Sequence, residues 1–573
     1  IENSNSIVVE GTTSAGMLVE ITENNINANG DNIKTINITG DNSAGMLGKL
    51  SAVLSGPQLT LTNSDSININ SSTSVGIMIE NALGNNKDNL KGINKGVITL
   101  DQSKIQNIGI FSDNATGINE NEIRVKGKQS IGMLGKNGSS ISNIANAIIT
   151  LEEEKGIGML SEGTNTVSTN SGTINVEGKE SSGMLAKSFG KANNENIIDI
   201  VGEKGVGIFV SDTGIGENKT SGTITLKDKD TVGIFAKNNG NTYSAINSGN
   251  IILDTLNSTK ESLIGMFAQS ESGEKASVKN SGVITINTKK LVGMYGNNAT
   301  TNNISDVDLS NEGTILINNE GSAGIYAPKS TVSNVGEIIL SDIADGASAV
   351  YVSKGGKINT DTADIKLGIV NQNRVAYYVN GAGSSLSGLN IGKISGYGVG
   401  VYLSGSSNDI AKLDTSTPIL DYTAGSNGGN GIIGLLLKGN TDISTYTKGI
   451  IVGDTVLIDN TIPNDKAKYA IGIYSDNQGT QANPYVISTN IKTGSNGVGI
   501  FADNNSILEY TGKLEVGNGT TAGTGIFINK GTNIVKLNGA TIELKGSGGV
   551  VAIVSEGGSF YGGNSTINLQ GSG

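Results

Sequence analysis

The sequence predicts an all-β chain wound as a parallel β-helix, a solenoid of about 20 turns. Three observations predict it: the composition, a short glycine motif that recurs along the chain, and a second motif between its copies. The composition comes first. Of 573 residues 83 are Gly and only 5 Pro, with aromatics at 4% and charged residues at 16%. That is too little charge and too much Ile and Val for a disordered polymer. Gly without Pro or a three-residue period also excludes collagen. What remains is a chain of many short strands and tight turns.

The recurring motif is apolar-Gly-[Met/Ile]-[Leu/Phe/Tyr]. Its glycines run from Gly16, Gly45 and Gly76 to Gly472, Gly499 and Gly525, and Ala349, Ala376 and Ala552 replace glycine in three copies. The 20 copies are spaced by 23 to 38 residues. All eight Met lie within them, as do six of the eight Phe and six of the fifteen Tyr. Chance would not sort rare residues this way. Within a copy, residues flanking the glycine, such as Val232 and Ile234, are expected to point inward, and the next residue outward or to a corner.

Between copies lies Asn-x-Gly-x-Ile-x-[Ile/Leu/Val], as in Asn94–Leu100, Asn170–Val176, Asn247–Leu253 and Asn334–Leu340. Asn and Gly tolerate positive φ and predict a turn, and the alternation after them predicts a half-buried strand. Each repeat thus holds at least two short strands. Propeller blades need a longer period, and a row of sandwiches would change pattern every 80 to 100 residues or so. Coiling stacks like residues about 4.8 Å apart, which implies a rod of roughly 95 Å. Ile98, Ile174, Ile224, Ile284 and Ile315 are expected in one internal stack. Low aromatic content fits a narrow coil with one apolar layer per strand.

Cys, His and Trp are absent. Stability must then come from burial and backbone pairing, and a chain without Cys suits passage through an oxidising periplasm. A net charge of −12 and a sequence pI near 4.8 argue against nucleic acid and anionic lipid as partners. No apolar run approaches the roughly 20 residues that span a bilayer, and no signal peptide opens the chain. Both ends fall inside the repeat, as expected of a stretch of something longer. Only Arg124 and Arg374 are arginine, so bidentate recognition is scarce.

The repeated Asn-x-Gly-x-Ile strand, with Val-Gly-Ile-Phe-Ala at 232–236, Ile-Gly-Met-Phe-Ala at 264–268 and Ala-Gly-Ile-Tyr-Ala at 323–327, resembles the passenger domains of type V autotransporters. The likeness is greatest to the large fusobacterial autotransporter adhesins. It covers essentially the whole chain. The resemblance implies a right-handed β-helix on the bacterial surface, joined to the outer membrane only through a C-terminal barrel that this sequence lacks. It also implies partners among host-cell glycans, host receptors including immune-cell receptors, or other bacteria.

The search for chemistry is brief. Without His there is no Ser-His-Asp triad and no His metal ligand. Parallel β-helices also act as polysaccharide lyases and glycosidases, so carboxylate groups were weighed: Glu152-Glu153-Glu154, Asp228 with Asp230, Asp306 with Asp308, and Asp342 with Asp345. Each borders an apolar strand beside Gly, Asn or Lys, where a solvated turn charge is the ordinary explanation. No catalytic residue, cofactor or metal is expected.

Two features point to binding. The fourth motif position is aromatic from Phe209 through Phe235, Phe267, Tyr295, Tyr326, Tyr351, Tyr378 and Tyr402, an expected ladder along one edge. Such rings can receive sugars or partner side chains, or simply seal a seam. Residues 404–498 form the irregular part, between a regular shaft over 1–403 and another over 499–573. Two spacings there widen to 34 and 38, and Pro418, Pro463 and Pro484 fall nearby. Loops within 404–470 are expected to protrude and to expose Tyr422 and Tyr446. Tyr422, Tyr446, Tyr378 and Tyr402 are therefore the expected ligand contacts of an adhesive stalk. The rival readings are a purely structural shaft and a carbohydrate-active enzyme.

Overall fold

The computed structural model describes the chain except residues 52, 54–55, 83–84, 241–242, 255–261, 272, 299–302, 387–391, 407, 458–466 and 572–573. The architecture is a parallel β-solenoid of about 20 turns with almost no helix. It falls into two compact units, Ile1–Thr285 and Ile286–Gly573. The irregular segment expected at 404–498 lies inside the second.

In the first unit each turn carries three strands. One turn reads Val167–Asn170, Thr173–Val176 and Ser182–Lys187. Each strand pairs in parallel with its counterpart one turn on, so three sheets run the length of the unit. The second strand delivers the expected isoleucine stack: Ile98, Ile123, Ile149, Ile174, Ile198, Ile224 and Ile251 are in register and fully buried. Ile284 and, in the second unit, Ile315 hold the same strand position and are equally buried.

The asparagine of the second motif has a different reason from the one its turn propensity suggests. None of Asn94, Asn119, Asn143, Asn170 and Asn194 has positive φ, and all are fully buried. From Asn3 through Asn280 each amide Nδ2 donates to Oδ1 of the asparagine one turn on, at 2.7 to 2.8 Å. A buried amide is costly unless paired, and stacking pairs every one. The motif glycine is needed for close approach: a Cβ at Gly172 would overlap the Ala147 carbonyl. Left-handed backbone falls elsewhere, three residues before the landmark glycine. Gln129, Lys155, Glu180, Lys204 and Asp230 have φ of 54 to 58°. In the first four the N–H donates to a carbonyl of the next turn. Side chains at this corner alternate in charge between turns, as in Lys128–Glu154 at 3.1 Å, Lys179–Glu203 at 3.5 Å and Lys229–Glu203 at 3.3 Å.

The landmark strand bears out one expectation for the residues it named, Val232 and Ile234, which are both buried, and corrects it for other copies. The residue after the glycine (Met133, Met159, Met184, Ile208) is fully buried. The residue before it (Ile131, Ile157, Ser182, Val206) is only half-buried on the outer side. Residues on either side of one position in a regular strand face alike, so their unequal burial here marks a distortion at the glycine. Its missing Cβ makes that possible: at Gly132 a Cβ would lie 2.6 Å from the Gly158 carbonyl oxygen and 3.0 Å from Ile149.

The second unit repeats the scheme with Val292–Asn298, Val307–Asn311 and Thr314–Ile317, then departs from it. Its amide column runs Asn311, Asn334 and then Asp361, which is buried. Past Leu386 the first of the three sheets is replaced by Ala411–Lys412 with Thr441–Asp442, and then by four strands from Tyr485–Ile487 onward.

Candidate functional site

Extra residues in a solenoid leave it at its corners, and here one corner takes many of them. It is the connection from the isoleucine strand to the landmark strand. In the first unit this connection is short at 177–181 and 201–205 and longer at 101–107. In the second it widens to 341–347, 367–374, 422–431 and 452–470. Widened connections are thus present within 404–470 and also before it. Residues 458–466, including Pro463, lie outside the described residues. Val456 and Lys468 pair antiparallel on either side of them.

These loops brace one another. Asp342 Oδ1 accepts from the Ile369 N–H at 2.6 Å and the Val370 N–H at 3.2 Å. Asn373 Nδ2 donates to Asp345 at 3.3 Å. Gln372 donates to the Gly431 carbonyl at 2.7 Å and the Tyr469 carbonyl at 2.9 Å, and accepts from the Tyr469 N–H at 3.1 Å. Asn430 Oδ1 accepts from the Asp454 N–H at 2.8 Å. Beneath them Arg374 is fully buried. Its guanidinium donates to the carbonyls of Leu367, Asp342 (2.9 Å) and Asn371 (2.9 Å). Composition marked this residue only as one of two arginines; no local pattern signals its role.

The braced corner carries large apolar side chains to solvent. Ile343 is 67% exposed, Ile369 64% and Val370 60%, with Leu457 and Tyr469 also more than half exposed. Water-facing aliphatics grouped on ordered loops mark an interaction surface more than a lone exposed Leu would. The sequence signal available was the Ile369-Val370 pair outside any alternating run.

Tyr422 and Tyr446 are not part of it, contrary to the sequence reading. Both are buried, at 1% and 0% exposure. Tyr422 donates to the Gly434 carbonyl at 2.6 Å, and Tyr446 to the Gly449 carbonyl at 2.7 Å. Burial raises the pKa of both hydroxyls. Their widened turns enclose extra volume, which the two rings fill. Tyr469 alone of the off-landmark tyrosines near them reaches solvent so fully.

Tyr378 and Tyr402 do lie on the outer side, half-buried in the aromatic column. In the first unit Phe209, Phe235 and Phe267 stack at 5.0 and 4.9 Å. In the second, Tyr295, Tyr326, Tyr351, Tyr378 and Tyr402 stack at 4.5 to 5.4 Å with planes within 29°. Leu436 follows in register, and then Tyr474, Phe501 and Phe527 resume. Face-to-face stacking covers the ring faces that a sugar would need. What the column presents is ring edges and a row of hydroxyls, one of which (Tyr351) accepts from Asn380 Nδ2 at 2.9 Å. The pKa of Tyr402 is pushed up to about 12, first by burial and then by Tyr378.

Several of the candidate carboxylates are engaged by neighbouring side chains. Glu152 and Glu154 pair with Lys126 and Lys128 of the adjacent turn, and Glu153 accepts from Gln102. Asp308 accepts from Thr331 and Asp306 from Asn303. Among the described residues no three His, Cys, Asp or Glu side chains come together as a metal site would require. No helix is long and apolar enough to cross a membrane, which says nothing of β-barrels.

Residues 207–304 match the family described as the BigA third pectate lyase-like domain. A pectate-lyase-like domain is a parallel β-helix, and the match falls on regular turns of this one. No curated protein matches the chain.

Proposed function

We propose that the chain is a non-enzymatic adhesive passenger of a bacterial surface protein, and that the braced loop corner of its second unit is its contact face. The observation that carries the reading is the grouping of Ile343, Ile369, Val370 and Tyr469 on loops tied together by Asp342 and Gln372. A chain free to bury these side chains in its own core instead holds them in water, on backbone ordered by Arg374. Such a surface suits a protein receptor on a host cell, or another bacterium, better than a deep small-molecule pocket. The likeness of residues 207–304 to a pectate-lyase-like domain of a surface protein supports the extracellular setting. The aromatic column, with its faces consumed by stacking, and the short corners of the first unit fit a shaft that carries the contact face.

The test is attachment of the intact chain to host cells, read by flow cytometry. Ile369→Ser, Val370→Ser and Tyr469→Ser together should leave the strand signal in circular dichroism unchanged and reduce attachment severalfold or more, as loss of central apolar anchors does. A folded triple variant that attaches as well as the parent would overturn the assignment of the face. Depolymerisation of a polysaccharide by the parent would overturn the non-enzymatic reading.

A further inference from the structure

A second surface of the second unit has a different character. Strands Ile450–Ile451, Ile491–Thr493 and Lys513–Val516 pair in parallel, with Ile450, Ile491 and Leu514 inward and Ile451, Lys492 and Glu515 outward. At the position just before, successive turns carry Ile419, Gly449, Asn490 and Lys513. Gly449 has no side chain and a left-handed φ of +118°, so the surface is notched between Ile419 and Asn490. The notch is held from below by Tyr446, whose hydroxyl binds the Gly449 carbonyl. Lys448 and Lys492 stand exposed at its edge. The carboxylate on its wall, Glu515, is already taken by Lys513 and Lys545, and Lys513 also pairs with Glu543. Among the described residues neither Lys448 nor Lys492 has an ion-pair partner.

We propose that this notch binds an anionic saccharide, with Lys448 and Lys492 against its carboxylate or sulfate and Ile419 and Ile451 against the ring. The charge argument is local: the chain carries −12 overall and repels anions generally, whereas Lys448 and Lys492 are exposed with no ion pair among the described residues, Lys492 facing a Glu515 that Lys513 and Lys545 already hold. The walls argue for a sugar and against a bare anion. Ile419 is 44% exposed beside the notch, and Asn490 lines it too, its Oδ1 accepting from the Lys513 N–H at 3.0 Å and its Nδ2 left to donate to a hydroxyl. Amphipathic walls with a few charged groups are what a substituted sugar ring requires.

The inference stands apart from the adhesive reading, and one experiment separates them. The intact chain is titrated by calorimetry with a sialylated trisaccharide, a sulfated disaccharide and the neutral parent sugar of each, at low and high salt. Saturable binding of an anionic probe, weakened by salt and absent for the neutral sugars, is expected. Lys448→Gln with Lys492→Gln should weaken it roughly tenfold without lowering Tm, since each exposed charge contributes modestly. Preference between the two anionic probes tells carboxylate from sulfate. Equal binding by the double variant, or no saturable binding of either anionic probe to the parent, overturns the proposal. Cell attachment of the same double variant is measured alongside. Attachment lost only on changing Ile369, Val370 and Tyr469 leaves the adhesive reading standing whatever the calorimetry shows.

Discussion

Asp361 shows how much one residue decides. It occupies the column that Asn311 and Asn334 begin, and it accepts from Asn334 Nδ2 at 3.3 Å, the Ala363 N–H at 3.0 Å and Tyr377. Burial outweighs these bonds and pushes its pKa up to about 7. The folded pKa thus exceeds the unfolded value near 3.9, so the folded state binds the extra proton. The stabilising contribution is full below pH 4 and is lost as pH rises through about 7. Asp361→Asn restores the amide and should remove that loss, raising stability at pH 8 by on the order of 3 kcal/mol and altering it little at pH 4. Urea denaturation at the two pH values measures the difference. Arg374 gives the opposite case. Arg374→Met strips donors from the carbonyls of Leu367, Asp342 and Asn371, and should cost about 3 kcal/mol while loosening 367–374. Denaturation together with hydrogen exchange of that loop reads both effects. Neither residue was legible in the sequence, because burial of a charge depends on contacts some 30 positions away. Tyr422 and Tyr446 were misread for the same reason: a long turn can bulge outward or thicken its own core, and spacing does not say which.

At the level of the element the sequence was read well where the same residue recurs each turn. The isoleucine stack was legible because alternation and period agree, and a one-residue slip would have turned every Ile outward. The asparagine was located correctly but for a turn propensity, when its column of side-chain amides is what fixes it. The landmark glycine was located too, but the burial expected before it holds at Val232 and not at Ile131 or Ile157, because simple alternation does not survive a distorted residue. Its role is testable. Gly132→Ala places a methyl against the Gly158 carbonyl and Ile149, with backbone on one side unable to yield as a side-chain tip could. Destabilisation of about 1 to 3 kcal/mol is expected from overpacking. A thermal melt matching the parent would mean that the strands separate to admit the methyl. Since Ala349 and Ala376 are natural and fully buried, they show that such an adjustment exists in the second unit. The experiment asks whether the tighter first unit can make it.

For the molecule as a whole, repetition makes stability a sum of turn and neighbour terms, with no central core. The first unit displays this clearly: its amide column, isoleucine stack and alternating corner charges each link a turn only to the ones beside it. The longest connections lie in the second unit, where two spacings widen to 34 and 38, and that was visible in the sequence. What spacing could not show is which corner takes the extra residues, since that requires knowing which strand each gap follows. The neighbour-only picture predicts that residues 1–289, the first unit with the rest of its last strand, keep their structure when expressed alone, because only the turn at the cut loses its partner strands. Strand content per residue should match that of the full chain by circular dichroism. Amide exchange should be slowest around the isoleucine strands near Ile174 and Ile198 and faster toward the cut, as expected when terminal turns have one neighbour in place of two. Uniform fast exchange, or loss of strand signal, would mean that the first unit depends on contacts well beyond its neighbouring turns, and the additive account of this solenoid would fail.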